Sequence, residues 1–410
     1  MLTDRVAPFI KIILSPRMLV ALAMGFSCGL PLLLTIGLLQ AWMKESGADL
    51  TAIGLMALVG LPYTVKFLWA PLFDFYSLPF LGRRRGWLLV IQLTLVLAII
   101  AMALSDPVDT PILLVISAVA VTFFSASQDV IIDAYRREDL SDKELGLGSA
   151  LYINGYRLGM LLASGGGMIM ADHMSFSSVY LIMAACMAPG IMTTLICREP
   201  KVVNMGSSNL YNAVLDPLKD YFTRKGAILI ILFILLYKVG DTMALSMTTP
   251  FYLDIGFTKT EIGSVVKLFG FWAIVIGTIT GGILMLRTGI INALFIFGFF
   301  QAVSTACFAA LSFTGPSLWA LAFVITFENF SMGMGTAAYA AYIASITNKR
   351  FTATQYALLS SLMGIPRVMM SAPTGFIVEQ TGWPAFFLLC SVIAIPGIIL
   401  IKYIERLHNQ

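Results

Sequence analysis

The sequence predicts an all-α membrane protein with twelve transmembrane helices in two six-helix halves. Three observations carry that prediction. First, 59% of the 410 residues are hydrophobic and only 12% are charged, about half the charged share of a soluble domain. At ~20 apolar residues per crossing, a pool of about 240 such residues suits roughly twelve helices. Second, apolar runs of spanning length recur along the whole chain. Third, one long polar stretch divides those runs six and six. This composition excludes a cytosolic enzyme, a secreted disulfide scaffold and a nucleic-acid binder.

The first helix is placed at 18–43. Arg5, Lys11 and Arg17 precede an apolar run too long for a signal-peptide core, with no small-residue cleavage site after it. Five more follow at 51–73, 87–105, 112–135, 146–170 and 178–197. The polar stretch 198–225 carries Leu210, Val214, Leu215, Leu218, Tyr221 and Phe222 at helical spacing, so a short surface helix is expected there, opened by Asp216-Pro217. The second six helices are placed at 226–251, 260–284, 291–312, 318–345, 354–377 and 384–402. The expected division is an N-terminal half 1–200, a linker 201–225 and a C-terminal half 226–410. A faint repeat supports it. Thr-x-Ile-Gly opens the second helix of each half, at 51–54 and 260–263. Arg157 and Arg367 stand at nearly the same shift. With both termini in the cytoplasm, inner segments hold 19 of the 26 Lys and Arg residues and outer loops hold only Lys44 and Lys259. The positive-inside rule therefore sets that orientation.

A charge at bilayer depth costs about 2.5–3.5 kcal/mol on insertion scales, so each one needs a partner or a polar cavity. Eight fall well inside helices: Lys66, Asp129, Arg157, Lys238, Asp241, Lys267, Glu328 and Arg367. Lys238 and Asp241 are three apart and can neutralise each other on one helix face. The others are either packing ion pairs or groups facing a cavity. The excess of basic residues suits an anionic substrate held by charge-assisted hydrogen bonds. The only histidines, His173 and His408, lie outside the apolar runs. Asp129, Asp241 and Glu328 are thus the candidate proton carriers. Gln128 and Asn329 stand beside two of them. Tyr63, Trp69, Tyr152, Tyr156, Tyr237, Trp272, Phe327 and Tyr339 lie near the charges, as packing residues or as faces for a sugar ring.

Between the second and third helices runs APLFDFYSLPFLGRRRGW (70–87). Asp74 followed by Arg83, Arg84 and Arg85 at a helix junction suggests a cytoplasmic latch, which Asp133, Arg136, Arg137 and Glu138 are placed to join. Gly165-Gly166-Gly167 and Gly333-x-Gly335 permit close helix approach or bending. Cys28, Cys186, Cys197, Cys307 and Cys390 are scattered through apolar stretches and read as core side chains. No GxxxxGK[ST] loop, nucleophile–base pair or metal-ligand spacing is present, so neither ATP hydrolysis nor another enzyme activity is expected.

The loop signature and the 6+6 organisation resemble the major facilitator fold, with its substrate cavity between the halves. More specifically, KFLWAPL (66–72), LGRRRGWLL (81–89), SASQD (125–129), GYRLGM (155–160), LYKVGD (236–241), FEN (327–329), GMGT (333–336) and ATQYALLS (353–360) resemble the AmpG family of bacterial muropeptide permeases. GLP (29–31) and LQAWM (39–43) fit as well. The resemblance implies proton-driven import of GlcNAc-1,6-anhydro-MurNAc and its peptides across the inner membrane for cell-wall recycling, a flux that also controls β-lactamase induction. It implies no cofactor beyond the coupling proton, and a monomer as the working form. Lys66, Gln128, Asp129, Arg157, Lys238, Asp241, Glu328, Asn329 and Arg367 stand in or beside the family motifs. A muropeptide stem is anionic and its sugars suit aromatic faces, which agrees with the charge reading.

Two features depart from the family. Some members carry two further membrane helices, for which this chain has no room. Phe75 stands where an arginine commonly follows the motif acid. Acetyl-coenzyme A transporters and some siderophore importers share similar stretches, so a ferric-siderophore importer is the alternative. A muropeptide receptor that moves nothing is a third reading.

Overall fold

The computed structural model describes residues 13–48, 56–201, 210–363, 370 and 373–408. Among them the chain is all-helical, and nine helices are long and apolar enough to cross a membrane. Large apolar side chains stand exposed on their outer faces, such as Ile112, Ile116, Ile196, Ile228, Phe313 and Trp319. That is the pattern of a lipid-facing surface rather than of a soluble one.

Helix α1 spans Pro16–Glu45. Pro16 occupies its first turn, where a missing N–H is harmless. Pro31 removes a hydrogen bond inside the helix, and a π-turn at Leu34–Leu38 follows it. Helix α2 (56–75) is broken. Turns Met56–Gly60 and Lys66–Leu68 alternate with short α-segments Leu61–Val65 and Ala70–Phe75, each led by a proline. It was expected as one continuous helix, but Pro62 and Pro71 interrupt the ladder. Helices α3 (Arg83–Ala103) and α4 (Pro111–Asp139) are continuous. In the turn between them Asp106 accepts N–H bonds from Val108 and Asp109, at 2.7 and 3.0 Å. Those bonds hold its carboxyl below the usual range.

Helix α5 (145–171) contains a π-turn at Leu162–Gly166. The glycine triplet overlaps this π-turn. Helix α6 spans Phe176–Ile196. The linker helix runs Leu210–Phe222. It starts before Asp216-Pro217 instead of at it, so Pro217 lies inside the helix, contrary to the sequence expectation. Tyr221 at its end is buried.

Helix α7 (Ala227–Ile255) breaks at Tyr237–Lys238. Helix α8 (Lys259–Thr288) opens with a capping box: Thr258 accepts the Glu261 N–H and Glu261 accepts the Thr258 N–H. The second Thr-x-Ile-Gly copy opens this helix, while the first lies outside the described residues. Helices α9 (Ile290–Thr314), α10 (Leu318–Ile346), α11 (Thr352–Leu362) and α12 (Thr374–His408) complete the chain. Gly382, non-helical at φ 77 and ψ 166, divides Thr374–His408 into two helical segments, in the interval between the two helices expected at 354–377 and 384–402.

The chain forms two compact units. One comprises Met1–Ser141, Leu151–Pro217 and Thr347–Ser361; the other comprises Asp142–Ala150, Leu218–Ile346 and Leu362–Gln410. In the first, α1 and α5 approach until glycines carry the contact. A Cβ at Gly29 would overlap the backbone of Tyr156, and one at Gly155 would overlap that of Leu22. Backbone cannot yield as a flexible side chain can. We expect Gly155→Val to cost about 1–3 kcal/mol or more and to lower the yield of monodisperse protein on size exclusion in detergent. The exposed Gly37 has open space where a Cβ would stand and no positive φ, so Gly37→Ala should leave the yield unaltered.

Candidate functional site

In the first unit, the break in α2 puts Lys66 inside the protein, 8% exposed. Asp129 on α4 is similarly buried, and its Oδ1 has no hydrogen-bond partner. Lys66 lies within electrostatic reach of both Asp129 and Asp133, one turn apart on α4. It makes no ion pair within 4 Å among the described residues. Tyr63 donates to Ser125 Oγ at 2.8 Å, and Trp69 Nε1 donates to Ser127 Oγ at 2.9 Å. Gln128 donates to the Ser27 carbonyl at 2.8 Å, which ties α4 to α1 beside Asp129. Arg157 is half-buried on α5. One turn before it, Asn154 is buried with both amide atoms unpartnered.

The second unit holds its own polar cluster. Where α7 breaks, Lys238 Nζ pairs with Asp241 Oδ2 at 3.0 Å. Helix α9 contributes Gln301, whose Nε2 donates to the same Asp241 oxygen at 2.5 Å. One turn on, Ser304 Oγ donates to Glu328 Oε2 at 2.6 Å. Glu328 is 1% exposed and its Oε1 has no partner. Asn329 donates to the Ile325 carbonyl of its own helix at 2.9 Å. The side chain of Lys267 and the whole of Arg367 lie outside the described residues. Tyr237 and Tyr339 stack at 5.4 Å with their hydroxyls on backbone carbonyls, while Trp272 is exposed. The two tyrosines are packing groups.

The residues at the α2–α3 junction form a dense ion network within the first unit. Arg84 is fully buried. Its guanidinium donates to Asp74 Oδ1 at 2.7 Å, Glu138 Oε1 at 2.6 Å, the Phe73 carbonyl at 2.9 Å and Thr352 Oγ1 at 2.6 Å. Arg83 joins Glu138 at 2.6 Å. Asp74 also accepts from the Ala353 and Thr354 N–H groups and the Thr354 hydroxyl, at 3.2, 2.8 and 2.8 Å. It thereby caps the start of α11, where an anion meets unsatisfied donors. Arg85 points elsewhere. Its side chain donates to the Thr194 and Leu195 carbonyls at 2.8 and 2.6 Å, at the end of α6. A second arm links Arg136 to Asp133 at 3.0 Å and to the Tyr356 hydroxyl at 2.6 Å, with the guanidinium 4.3 Å above the Tyr152 ring. Arg137 donates to the Thr347 carbonyl at 3.3 Å.

Sequence reasoning missed Glu199, whose carboxylate caps α3 by accepting the Arg84 and Arg85 N–H groups at 2.8 and 3.0 Å. It also missed Gln301, Ser304, Thr352 and Thr354. Local pattern gave no signal for the first two, because a polar residue on an apolar helix does not reveal its partner. The threonines carried the ordinary signature of a helix start.

A fold of apolar helices of membrane-spanning length that carry buried charge clusters is that of a multi-pass membrane protein. The chain belongs to the Major Facilitator Superfamily, whose family model matches residues 17–371. Within it the chain falls in the AmpG branch. It is 43% identical over 395 residues to the anhydromuropeptide permease of Escherichia coli K12, covering 96% of this chain and 80% of that protein. It is 33% identical over 410 residues to putative transporter AmpG 4 of Rickettsia felis, covering 97% and 99%. Two solved structures share the fold. The human organic anion transporter MFSD10 matches at TM-score 0.65 with 16% identity, covering 95% of this chain and 99% of that one. The proton:xylose symporter XylE matches at TM-score 0.68 with 11% identity, covering 95% of each.

Proposed function

We propose that this chain imports anhydro-muropeptides into the bacterial cytoplasm by alternating access, driven by the proton gradient, for cell-wall recycling. The carrying observation is the 43% identity to the Escherichia coli permease along nearly the whole chain. The buried charges support it from the physics. Lys66, Arg157, Lys238 and Arg367 supply cationic contacts for an anionic sugar-peptide, with Tyr63 beside them. Gln128 and Asn329 stand next to the carboxylates and complete the polar lining. Asp129, Asp241 and Glu328 are the groups that take up and release the proton. Asp74, Arg83, Arg84 and Arg85 form the latch at the inner face. In this reading twelve spans form halves 1–200 and 226–410, joined by the linker 201–225. Both termini lie in the cytoplasm, and the protein works as a monomer in the inner membrane with no cofactor but the coupling proton.

The test is uptake of radiolabelled anhydro-muropeptide into proteoliposomes, with an inward proton gradient and with it collapsed. Gradient-dependent accumulation supports the proposal. No uptake from a folded, inserted sample, followed by uptake of labelled ferric siderophore, would replace it with the alternative. Lys66→Ala and Glu328→Gln should each lower uptake at a limiting gradient by about tenfold, the size of one lost charge-assisted contact of ~1.5 kcal/mol. Membrane levels should match the parent. Normal uptake by either variant removes that residue from the mechanism.

A further inference from the structure

The polar cluster of the second unit contains two side chains that the charge reading does not use. Gln301 and Ser304 are one helical turn apart on α9, and both are at most 2% exposed. Gln301 holds Asp241 of α7, while Ser304 holds Glu328 of α10. Glu328 lies within electrostatic reach of both Asp241 and Lys238. No other hydrogen bond from α9 ties these two carboxylates together among the described residues. We infer that Gln301 and Ser304 are positioning residues that link the Lys238–Asp241 pair to Glu328, so that a proton arriving at one carboxyl is felt at the other.

Three observations converge on this. First, the Gln301 amide is fixed from both sides. A Cβ at Gly335 of α10 would overlap Gln301 Oε1, so glycine there leaves room for the amide that reaches Asp241. Second, Lys238 sits at the break of α7, where the chain turns with φ −106 and ψ 0. The pair therefore sits at an interruption of the helix and not along a continuous stretch of it. Third, the first half carries a glutamine at an equivalent place with a different use. Gln92 on α3 precedes Gln301 by the same shift that separates the two Thr-x-Ile-Gly copies. Its Oε1 accepts from Thr194 at 2.9 Å and its Nε2 has no partner. In the second unit the matching amide nitrogen faces a carboxylate. The duplicated glutamine ties neutral helices in one unit and a charged pair in the other.

The ionisable groups around Glu328 are Lys238, Asp241 and Tyr252 on α7 and Cys307 on α9; Tyr237 on α7 and Cys390 on α12 face Asp241. The side chain of Lys267 on α8 lies outside the described residues. In water-poor surroundings such a set responds as one unit, and its titration belongs to the set rather than to any member.

The inference rests on the proton-coupled reading, and the experiment separates the two. Full-length protein is reconstituted as the parent, Gln301→Leu, Ser304→Ala, Ser304→Thr, Gly335→Ala and Thr305→Val. Thr305 is buried beside the pair with its hydroxyl unpartnered, so Thr305→Val controls for repacking of α9. Gradient-driven accumulation of labelled anhydro-muropeptide should fall about tenfold in Gln301→Leu, Ser304→Ala and Gly335→Ala, within the range of couplings between linked sites. Counterflow without a gradient should stay within about twofold of the parent, a split that general damage does not produce. Ser304→Thr should restore accumulation and Thr305→Val should match the parent. A substrate-free measurement accompanies these. The protonated-carboxyl infrared band that Glu328→Gln removes should change its pH midpoint by about one unit in Gln301→Leu and Ser304→Ala. If the parent moves no muropeptide yet the band shifts as stated, the substrate reading fails and the linkage stands. If the band midpoint is unmoved, or accumulation and counterflow fall together, the linkage is overturned.

Discussion

Replacing Arg84 by alanine should strongly destabilise the folded protein. Its guanidinium is the hub of the α2–α3 junction, bonded to Asp74, Glu138, Thr352 and the Phe73 carbonyl with no exposed surface. Alanine leaves two buried carboxylates facing each other across a void. Removing one member of a buried ion cluster costs about 3–5 kcal/mol, because the remaining charge stays desolvated. At roughly 2 °C per kcal/mol, the midpoint of thermal unfolding in detergent should drop by about 6–10 °C. Arg84→Lys should not restore it. A lysine ammonium has three donors on a flexible stem, whereas the guanidinium satisfies four partners with a rigid planar fork. Arg85→Ala supplies the contrast, since it removes two bonds to carbonyls and exposes no buried carboxylate; about 1–2 kcal/mol is expected. Equal midpoints for the Arg84 and Arg85 variants would show that burial of the network carries no special cost.

That contrast could not have been drawn from the sequence. The run Arg83-Arg84-Arg85 reads as three equivalent cations, and the positive-inside rule explains all three. The structure gives them different partner sets, with Glu138 shared by Arg83 and Arg84, because consecutive side chains on a helix are about 100° apart. Arg84 turns inward, Arg83 reaches Glu138 from beside it, and Arg85 turns to the end of α6. The pattern pointed to Asp74 and the helix junction, but the sequence separation between Asp74 and Thr354 hid the hydrogen bonds that Asp74 accepts at the start of α11. A carboxylate capping a helix start far along the chain leaves no periodic trace.

Fold class was legible because it rests on apolar run length, which lipid dictates almost alone. Breaks were less legible. Pro62 and Pro71 announced the interruptions of α2, yet the break at Lys238 falls in LYKVGD, which has no proline and a glycine only two residues later. An ion pair one turn long holds the chain there. The deep charges were legible individually, since each is costly in lipid. Their neutral partners were not: Gln301 and Ser304 look like scattered polar residues in an apolar helix, and only their neighbours on α7 and α10 give them a role.

Asp129→Asn should abolish gradient-driven accumulation while sparing exchange. Asp129 is buried, its Oδ1 has no donor, and its charged neighbours are Lys66 and Asp133. A desolvated carboxyl with one vacant oxygen can hold a proton there, and Lys66 is the cation whose attraction the proton would replace. Under the proposed function, a protonated Asp129 would leave Lys66 to the anionic solute, and a deprotonated one would compete for it. Asparagine keeps the shape, binds no proton and offers Lys66 no charge. The variant should therefore bind solute and exchange it in counterflow, yet accumulate it only to the level reached with the gradient collapsed. Lys66→Ala should differ in kind, with counterflow and accumulation falling together, because it removes the contact rather than the competition. If Asp129→Asn accumulates like the parent, the proton is held in the second unit, on the Asp241–Glu328 set. If instead both activities vanish with protein levels unchanged, Asp129 contacts the solute itself, and the exchange between proton and solute at Lys66 is wrong.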